Sequence, residues 1–385
     1  MIDRQGKFPT WKIISSDDKP GPSVSLVAVG DMMFCREVGE QVRAHGADFP
    51  FELVRPLLTQ GDLVVGNLET PIAGPRPGIE VPPHGGFRSE PECAAALRQA
   101  GFNILSRANN HALDCGRVGV EETTEWLKQA DILWGGVGES REVATRPVIL
   151  TVNGLKLGFL FRTWAPKYAR RKGGQQVALL SRREILRAVT ALRQQVDCCI
   201  VSLHFGQELV SYPMPEEARL AREIIAHGAD LLLGHHPHVL QGIERFDKGL
   251  IVYSLGNFVF HKRTGPEGES AILRCRLASH EVLAAELIPL EINADFRPEL
   301  LAGPRAEELL QRVRALSEKL GTPEADRLFW EQAGSAFVKK QKTGLRRQLP
   351  RFGWRYIVRR LRMTNWMHVR LACYVLRRKL RKLIG

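Results

Sequence analysis

Short apolar runs alternate with helical patterns over most of the chain, and this alternation restricts the fold more than any other feature. Six runs end in a polar or ionisable residue: SLVAVGD, DLVVGNLE, NILSRANN, CCIVSLH, LLLGHH and IVYSLGN. Helical patterns lie between several of them, such as PECAAALRQAG, which begins with proline and ends with glycine. Strands that are apolar throughout are typical of sheets covered on both faces. The pattern therefore predicts an α/β protein.

Further elements extend this prediction toward the C-terminus. RPVILTVNGLKLGFLF reads as a hairpin that turns at Asn153-Gly154, and more strands are expected at 270–277 and 282–290. Two groups of strands predict two sheets packed face to face between helices. Beyond about residue 300 the pattern is helical. We expect an N-terminal segment (1–23), a main domain (24–295), a helical extension (296–338) and a basic amphipathic tail (339–385).

Positive charge is concentrated in the tail. The 385-residue chain has 55 Lys and Arg against 42 Asp and Glu. Residues 332–385 hold 16 of the basic residues and none of the acidic ones, which leaves a nearly neutral body. Such asymmetry indicates a separate partner for the tail.

The apolar residues of the tail recur at spacings of three and four, which predicts one face of a helix. This helix could pack on the body with its basic face in water, or lie on an anionic membrane surface. Nucleic acid is the less favoured partner, because no recognised binding module accompanies the charge. The predicted face consists of Trp366, Val369, Cys373, Leu376, Leu380 and Leu383.

Composition also limits where the protein works. No run approaches the roughly 18 apolar residues of a membrane span, and the N-terminus has charges and prolines where a signal peptide needs an apolar core. The seven cysteines are scattered and form no CxxC pair, which argues against a disulfide framework. We expect a cytoplasmic protein, with peripheral attachment to the inner membrane face as the alternative.

Polar side chains stand at the end of one predicted strand after another. Each alone has an ordinary explanation, such as a helix cap, a turn or a satisfied core histidine. Five loops with such residues at one sheet edge indicate a shared site. Carboxylates, imidazoles and an amide oxygen form a ligand set that suits one or two Mn, Zn or Fe ions, and two ions could hold a phosphoryl group and activate water. These residues are Asp31, Asn67, Glu69, Asn110, His111, His204, His235, His236 and His238.

Seven motifs in order, over about residues 24–290, give a specific resemblance: VAVGDMMF, GNLETPI, FRSEPE, ANNHALDCG, SLHFGQE, GHHPHVLQGIE and YSLGNFVF. Together they resemble the CapA family of capsule or poly-γ-glutamate synthesis proteins, which are similar to calcineurin-like metallophosphoesterases. The resemblance implies two packed mixed sheets flanked by helices. It also implies a metal-dependent phosphoesterase associated with capsule or poly-γ-glutamate metabolism, acting on an anionic small-molecule or polymer substrate.

The resemblance also implies roles for individual residues. His111 would protonate the leaving group or steady the phosphoryl oxygens, and Asp114 would orient it. Substrate binding falls to four residues: Asn67, Arg88, His235 and Asn257. The implied metal ligands are Asp31, Glu69, Asn110, His204, His236 and His238.

One motif departs from the wider phosphoesterases. Their first motif is Asp-x-His, whereas here Met33 follows Asp31 and Met32. A thioether is a poor ligand for hard ions, so one metal position has a ligand fewer. An alternative function is therefore a non-catalytic factor that binds or assembles poly-γ-glutamate or another anionic polymer. A third is a nucleic-acid-directed phosphoesterase that uses the tail as an electrostatic anchor.

Overall fold

The computed structural model describes residues 9–15, 21–75, 87–165, 174, 176–352 and 369–376, and only the backbone of residues 340–352. Within these residues the strands are β1 (Trp11–Ile14), β2 (Val24–Met32), β3 (Leu63–Leu68), β4 (Ile104–Ser106), β5 (Leu133–Gly135), β6 (Val137–Gly138), β7 (Val148–Val152), β8 (Leu155–Thr163), β9 (Gln176–Val177), β10 (Cys198–His204), β11 (Leu231–His235), β12 (Ile243–Phe246), β13 (Gly249–Val252), β14 (Asn257–Val259), β15 (Glu269–Ala278), β16 (Glu281–Ile292) and β17 (Pro298–Leu300).

The helices of the same residues are α1 (Arg36–His45), α2 (Arg55–Leu58), α3 (Glu92–Gln99), α4 (Gly116–Gln129), α5 (Arg141–Thr145), α6 (Arg182–Arg193), α7 (Pro215–Ala226), α8 (Gly303–Glu318) and α9 (Pro323–Phe352). Residues 369–376 form a further helical segment, which we call the tail helix.

Two mixed sheets account for most of the strands. The first runs in the order β1-β16-β15-β2-β3-β4-β5, with β14 also paired to β2 and β17 to β16. The second runs β12-β13-β11-β10-β8-β7. Strands β2 to β5 are mutually parallel, as are β8, β10, β11 and β13. The predicted α/β class, with two packed mixed sheets and flanking helices, is confirmed.

Alternation along each strand explains why the runs are apolar throughout. Leu26 and Ala28 of β2 face the interior between the sheets, where they join Ile200 of β10. Val27 of β2 packs in a second cluster with residues of α1, α3 and α4, and Val201 of β10 packs in a third cluster with residues of α6 and α7. Because both faces of these strands are covered, both sets of side chains must be apolar.

The predicted hairpin is confirmed in its turn and its strands. Strands β7 and β8 are antiparallel, with Val152 opposite Leu155. Asn153 and Gly154 both have positive φ, at 50° and 80°. Two positive φ values in a two-residue loop are what a type I′ turn requires, and Asn-Gly is the pair that adopts them most easily.

One predicted strand is divided between the two sheets. The run IVYSLGN ends its part in the second sheet at Val252, and Asn257 begins β14 of the first sheet. Gly256, at a φ of 68°, allows the intervening bend. Because the chain crosses between the sheets here, Asn257 lies opposite Asp31 of β2. A segment that follows a strand of the second sheet thus supplies a polar residue at the edge of the first sheet.

The C-terminal helices cover the body. Helix α8 contributes Leu309 and Leu310 to the core between the sheets. Helix α9 and the tail helix meet at a smaller cluster that contains Phe329 and Leu371. The predicted boundary between residues 338 and 339 falls inside α9.

The tail helix contacts the body through a different face from the predicted one. Leu371 is 2% exposed, whereas Val369 is 41% and Leu376 is 60% exposed. Tyr374 packs near the Trp330 ring at 6.1 Å, and Arg370 donates to Glu216 of α7 at 2.8 Å. The three described residues of the predicted apolar face, which include Cys373, are therefore exposed. Trp366, Leu380 and Leu383 lie outside the described residues.

In the part of the chain that the structure describes, no helix has both the length and the apolar character that crossing a bilayer needs.

Candidate metal centre

The candidate site lies where parallel strands of both sheets end. Asp31 is the next-to-last residue of β2 and lies beside Asn67 of β3, and these two residues are direct partners in the parallel ladder. His204 and His235 form the last pair between β10 and β11 in the second sheet. The edges of the two sheets thus bring carboxylates and an amide together with imidazoles, as the strand-end pattern predicts.

Three groups form the centre of the cluster. One ligand atom each from Asp31, Glu69 and His238 lies within 4.8 Å of the others. Asp31 is 0% exposed and Glu69 is 1% exposed. Two carboxylates buried without a cation nearby would be strongly unfavourable, so this arrangement favours a bound positive ion.

Buried polar atoms without partners support the same conclusion. In the part of the chain that the structure describes, Glu69 Oε2 and His236 Nδ1 are buried and have no hydrogen-bond partner, and His235 Nδ1 has only a long contact of 3.4 Å with Asp31 Oδ1. Buried polar atoms in proteins are normally satisfied. Carboxylate oxygens and imidazole nitrogens are the donors that Mn, Zn and Fe accept. The residues present therefore fit a divalent metal ion.

Asn67 and His204 connect the centre to the remaining predicted ligands. Asn67 Nδ2 donates to Asp31 Oδ1 at 2.8 Å and lies 3.2 Å from His204 Nδ1. On the other side of its ring, His204 Nε2 is 3.0 Å from Asn110 Oδ1. The ring of His236 is 4.7 Å from that of His204. All six predicted ligands are thus brought into one contiguous group.

The charges of the cluster are unequal. Burial alone would raise the pKa of Asp31, but His235 and His238 lower it well below its usual value. Burial and the neighbouring Asp31 raise the pKa of Glu69 well above normal. Burial opposes the charged form of His238, yet Glu69 and Asp31 raise its pKa to about 10. The metal-free cluster therefore retains a proton on His238 at neutral pH, and the carboxyl group of Glu69 holds its proton to a higher pH than an ordinary glutamate does.

This retention predicts how metal affinity depends on pH. A cation must displace protons from groups with raised pKa values, so binding should be weak in acid and tighten as the pH rises. We expect about tenfold tighter Mn²⁺ binding per pH unit for each proton released, between about pH 6 and pH 8. Calorimetric titrations in two buffers of different ionisation enthalpy would count the protons. An affinity that is constant over this interval would contradict the assignment.

The loop that carries the three histidines has an unusual backbone. His236 and His238 have φ values of 96° and 57°, a region that residues with a side chain rarely adopt. The backbone N–H of His236 donates to Asp31 Oδ2 at 3.0 Å. The hydrogen bond and the unusual backbone conformation together hold this loop beside the cluster. Backbone strain of this kind is common at functional sites.

His111 and Asp114 form a separate pair beside the cluster. Asp114 Oδ2 lies 2.6 Å from His111 Nδ1 and also accepts from the backbone N–H of Phe87 at 3.0 Å. The Phe87 ring is stacked on His111 at 3.9 Å. The carboxylate fixes the proton on Nδ1 and leaves Nε2 as the reactive nitrogen. This is the orientation predicted for Asp114.

The predicted substrate-binding residues are differently placed. Asn67 and His235 lie within the cluster. Both ends of the Asn257 amide are used: Oδ1 lies 2.9 Å from His238 Nδ1, and Nδ2 donates to Glu267 O at 2.9 Å. Asn257 therefore orients His238, and its predicted contact with substrate gains no support from this geometry.

Arg88 is bonded to its own surroundings. Its Nη1 donates to the carbonyl oxygen of Ala73 at 2.7 Å, and the guanidinium forms an ion pair with Glu90 at 3.4 Å. A guanidinium with these partners has less capacity to bind a substrate, so its predicted role also stays without support.

Two features of the site go beyond the sequence pattern. Met33 is 0% exposed and packs in the cluster between the first sheet and its helices, so its side chain belongs to the core. Asn109, which the sequence reasoning missed, donates to Leu68 O at 2.7 Å and accepts from the His111 N–H at 3.0 Å. Its place as the first asparagine of the NNH motif, directly before Asn110 and His111, was the available signal.

The chain is similar to one family of known proteins. Residues 25–262 match the family described as bacterial capsule synthesis protein PGA_cap. The chain is similar to the capsule biosynthesis protein CapA of Bacillus anthracis, with 31% identity over 70% of this chain and 68% of the relative. It is also similar to the PGA biosynthesis protein CapA of Bacillus subtilis, with 31% identity over 75% of this chain and 76% of the relative.

Among solved structures, the 5'-nucleotidase precursor of Thermus thermophilus is similar over 76% of this chain and 58% of its own. The identity is 14% and the TM-score is 0.44.

Proposed function

Because the chain belongs to the bacterial capsule synthesis protein family, we propose that it is a metal-dependent phosphoesterase that acts in the metabolism of a capsule polymer such as poly-γ-glutamate. The observation that carries the proposal is the pairing of two neighbouring features. One is the buried group of Asp31, Glu69 and His238, and the other is the oriented His111–Asp114 pair.

The roles of the residues follow from their contacts. A bound divalent ion would supply Lewis acidity and lower the pKa of a water molecule. Asp31, Glu69 and His238 would hold it, and Asn67 keeps Asp31 in place through its hydrogen bond. His111, held at Nδ1 by Asp114, would deliver a proton from Nε2 to the leaving oxygen.

The first experiment is a hydrolysis assay with bis(p-nitrophenyl) phosphate in the presence of Mn²⁺, Zn²⁺, Fe²⁺ or Mg²⁺. We expect turnover that requires metal and is lost in His204→Ala, since His204 joins Asn67, Glu69 and Asn110. Absence of turnover with all four metals would contradict the phosphoesterase and favour the second candidate below.

His111→Ala should lower kcat by about 10²- to 10⁴-fold while metal is still bound, because the variant loses a general acid and none of the buried cluster. Asp114→Asn should have a smaller effect in the same direction, since it leaves the imidazole in place with its orientation disturbed. Steady-state kinetics and Mn²⁺ titration would measure the two effects separately.

His227→Ala is the matched control, because His227 is exposed and its described contact is with the backbone of its own helix. Full activity in His111→Ala would show that the proton donor is another group. Loss of Mn²⁺ binding in that variant would instead move His111 into the metal site.

A second candidate function is a non-catalytic factor that holds an anionic polymer. Met33 favours it, because the position of a first-motif histidine is occupied by a core residue and one metal ligand is missing. In that case the cluster would bind metal with the predicted pH dependence, and His204→Ala would weaken polymer binding without any turnover to lose.

A further inference from the structure

Arg36 occupies an unusual position beside the candidate metal centre. It is the first residue of α1 and follows Asp31 by five positions. Its side chain is exposed, with Nη1 2.9 Å from His261 Nε2. The guanidinium carbon lies 5.0 Å from the centre of the Phe87 ring.

Two series of neighbouring rings, the first stacked and the second tilted, lead from this guanidinium to the cluster. Phe87 stacks on His111 at 3.9 Å with the ring planes 14° apart. In the other direction, Phe260 lies between His261 at 5.0 Å and His238 at 4.8 Å. Arg36 therefore contacts the outer member of both series, one that begins at the proposed acid and one that begins at a proposed metal ligand.

The charge of Arg36 has no carboxylate partner within ion-pair distance among the described residues. Burial and the neighbouring guanidinium lower the pKa of His261 to about 4, so this imidazole is neutral and accepts the Arg36 hydrogen bond. A neutral acceptor and an aromatic face position a cation without cancelling its charge. Arg88, in contrast, is paired with Glu90.

The backbone of Arg36 is also held in an unfavourable conformation. Its φ of 57° is in the left-handed region, which is unfavourable for an L-residue that carries a side chain. A strained residue persists where the surrounding structure fixes it, and such residues concentrate at binding sites. The strain is consistent with a side chain whose direction matters.

We propose that Arg36 is the oxyanion-binding residue of this site, and that its guanidinium receives a phosphoryl or carboxylate group of the substrate beside His111 and the metal cluster. The inference rests on the proposed function only in that it takes the cluster to be the reaction centre. A guanidinium suits this task because its N–H groups match two oxygens of such a group at once.

Calorimetric titration of the Mn²⁺-loaded full-length protein tests the inference without requiring turnover. One arm uses inorganic phosphate and the other a short γ-linked glutamate peptide. Arg36→Gln should weaken the binding of the recognised anion about tenfold to a hundredfold, because the variant loses a charge-assisted hydrogen bond. Arg36→Lys should recover part of the loss, because it keeps the charge without the planar fork.

Arg117→Gln is the matched control, because Arg117 is exposed and pairs with Glu121 of the same helix. Weakening in the phosphate arm alone would identify a phosphoryl group as the ligand, and weakening in the peptide arm alone would identify a carboxylate. Unchanged affinity for both anions in Arg36→Gln would overturn the inference, as would a wild-type protein that binds neither.

The outcome is separable from that of the proposed function. A wild-type protein without hydrolase activity but with Arg36-dependent anion binding would overturn the phosphoesterase and keep this inference. If the wild-type enzyme is active and phosphate inhibits it and Arg36→Gln equally, the phosphoesterase is kept and this inference is overturned. Mn²⁺ affinity should be equal in all three arginine variants.

Discussion

Asp31→Asn should abolish Mn²⁺ binding and, with it, any metal-dependent hydrolysis. Asp31 is fully buried, and its carboxylate accepts hydrogen bonds from the Asn67 side-chain amide and from the backbone N–H of His236. Its pKa is well below normal, so it supplies a permanent negative charge to the cluster. Loss of a residue that only orients a ligand costs about 10- to 100-fold in affinity, so loss of a direct ligand should cost about a hundredfold or more.

The control for this variant is Asp131→Asn. Asp131 is highly exposed, lies outside the motifs and pairs with Arg98. Its φ of 55° is one that asparagine also adopts readily. Calorimetry with Mn²⁺ should show wild-type affinity in Asp131→Asn. If Asp31→Asn also binds Mn²⁺ with wild-type affinity, the metal site lies elsewhere.

Gly234→Ala should be the most destabilising of the small substitutions near the site. A Cβ atom at this position would lie 2.0 Å from the carbonyl oxygen of Tyr253. Neither backbone can move freely, because Leu233 is paired with Val252 in the parallel ladder. Overpacking of a core typically costs about 1–3 kcal/mol in the free energy of unfolding, occasionally more, and a backbone collision belongs at the upper end.

Gly74→Ala provides the comparison, since its Cβ would meet only Pro91 at 3.9 Å, an ordinary contact. Urea unfolding should show Gly74→Ala close to wild type and Gly234→Ala lowered by about 3 kcal/mol, or unable to fold. Equal midpoints for the two variants would mean that the strands near His235 can separate without loss of stability.

The sequence predicted the edge at which the site lies because two rules act together there. A strand buried on both faces must be apolar along its whole buried length. The first polar residue after an apolar run therefore marks the place where the strand leaves the core. Parallel strands end on the same side, which brings Asp31 and Asn67 together as direct neighbours. The predicted grouping of ligands depends only on this local chemistry and on the handedness of the connections.

The sequence could not predict which guanidinium or amide is already bonded. Arg88 and Asn257 stand in motifs beside the site, but each has its partners inside the protein. Arg36 appears in no obvious polar pattern, and its position depends on Phe87, which is distant in sequence. Such roles follow from tertiary contacts between separate segments, and no periodicity along the chain encodes them.

The crossing between the sheets was unpredictable for a similar reason. An apolar run of seven residues fits one strand as well as two, and only the bend at Gly256 separates them. The orientation of the tail helix likewise depends on its tertiary contacts with α7 and α9. Spacing identified an apolar face there, whereas Leu371 is the residue that the body buries.

The docking of the tail helix decides how the basic tail can be dissected experimentally. Leu371 shares a cluster with Tyr212, and Gln332 of α9 accepts from the N–H of Ser211, in the segment that follows His204. A deletion from residue 340 onward would leave Gln332 in place, but it would remove Leu371 from this cluster as well as remove charge. Replacement of the arginines and lysines at 377–382 by glutamine would remove charge and keep Leu371 in the chain, so substitution separates the effect of charge from that of the Leu371 contact.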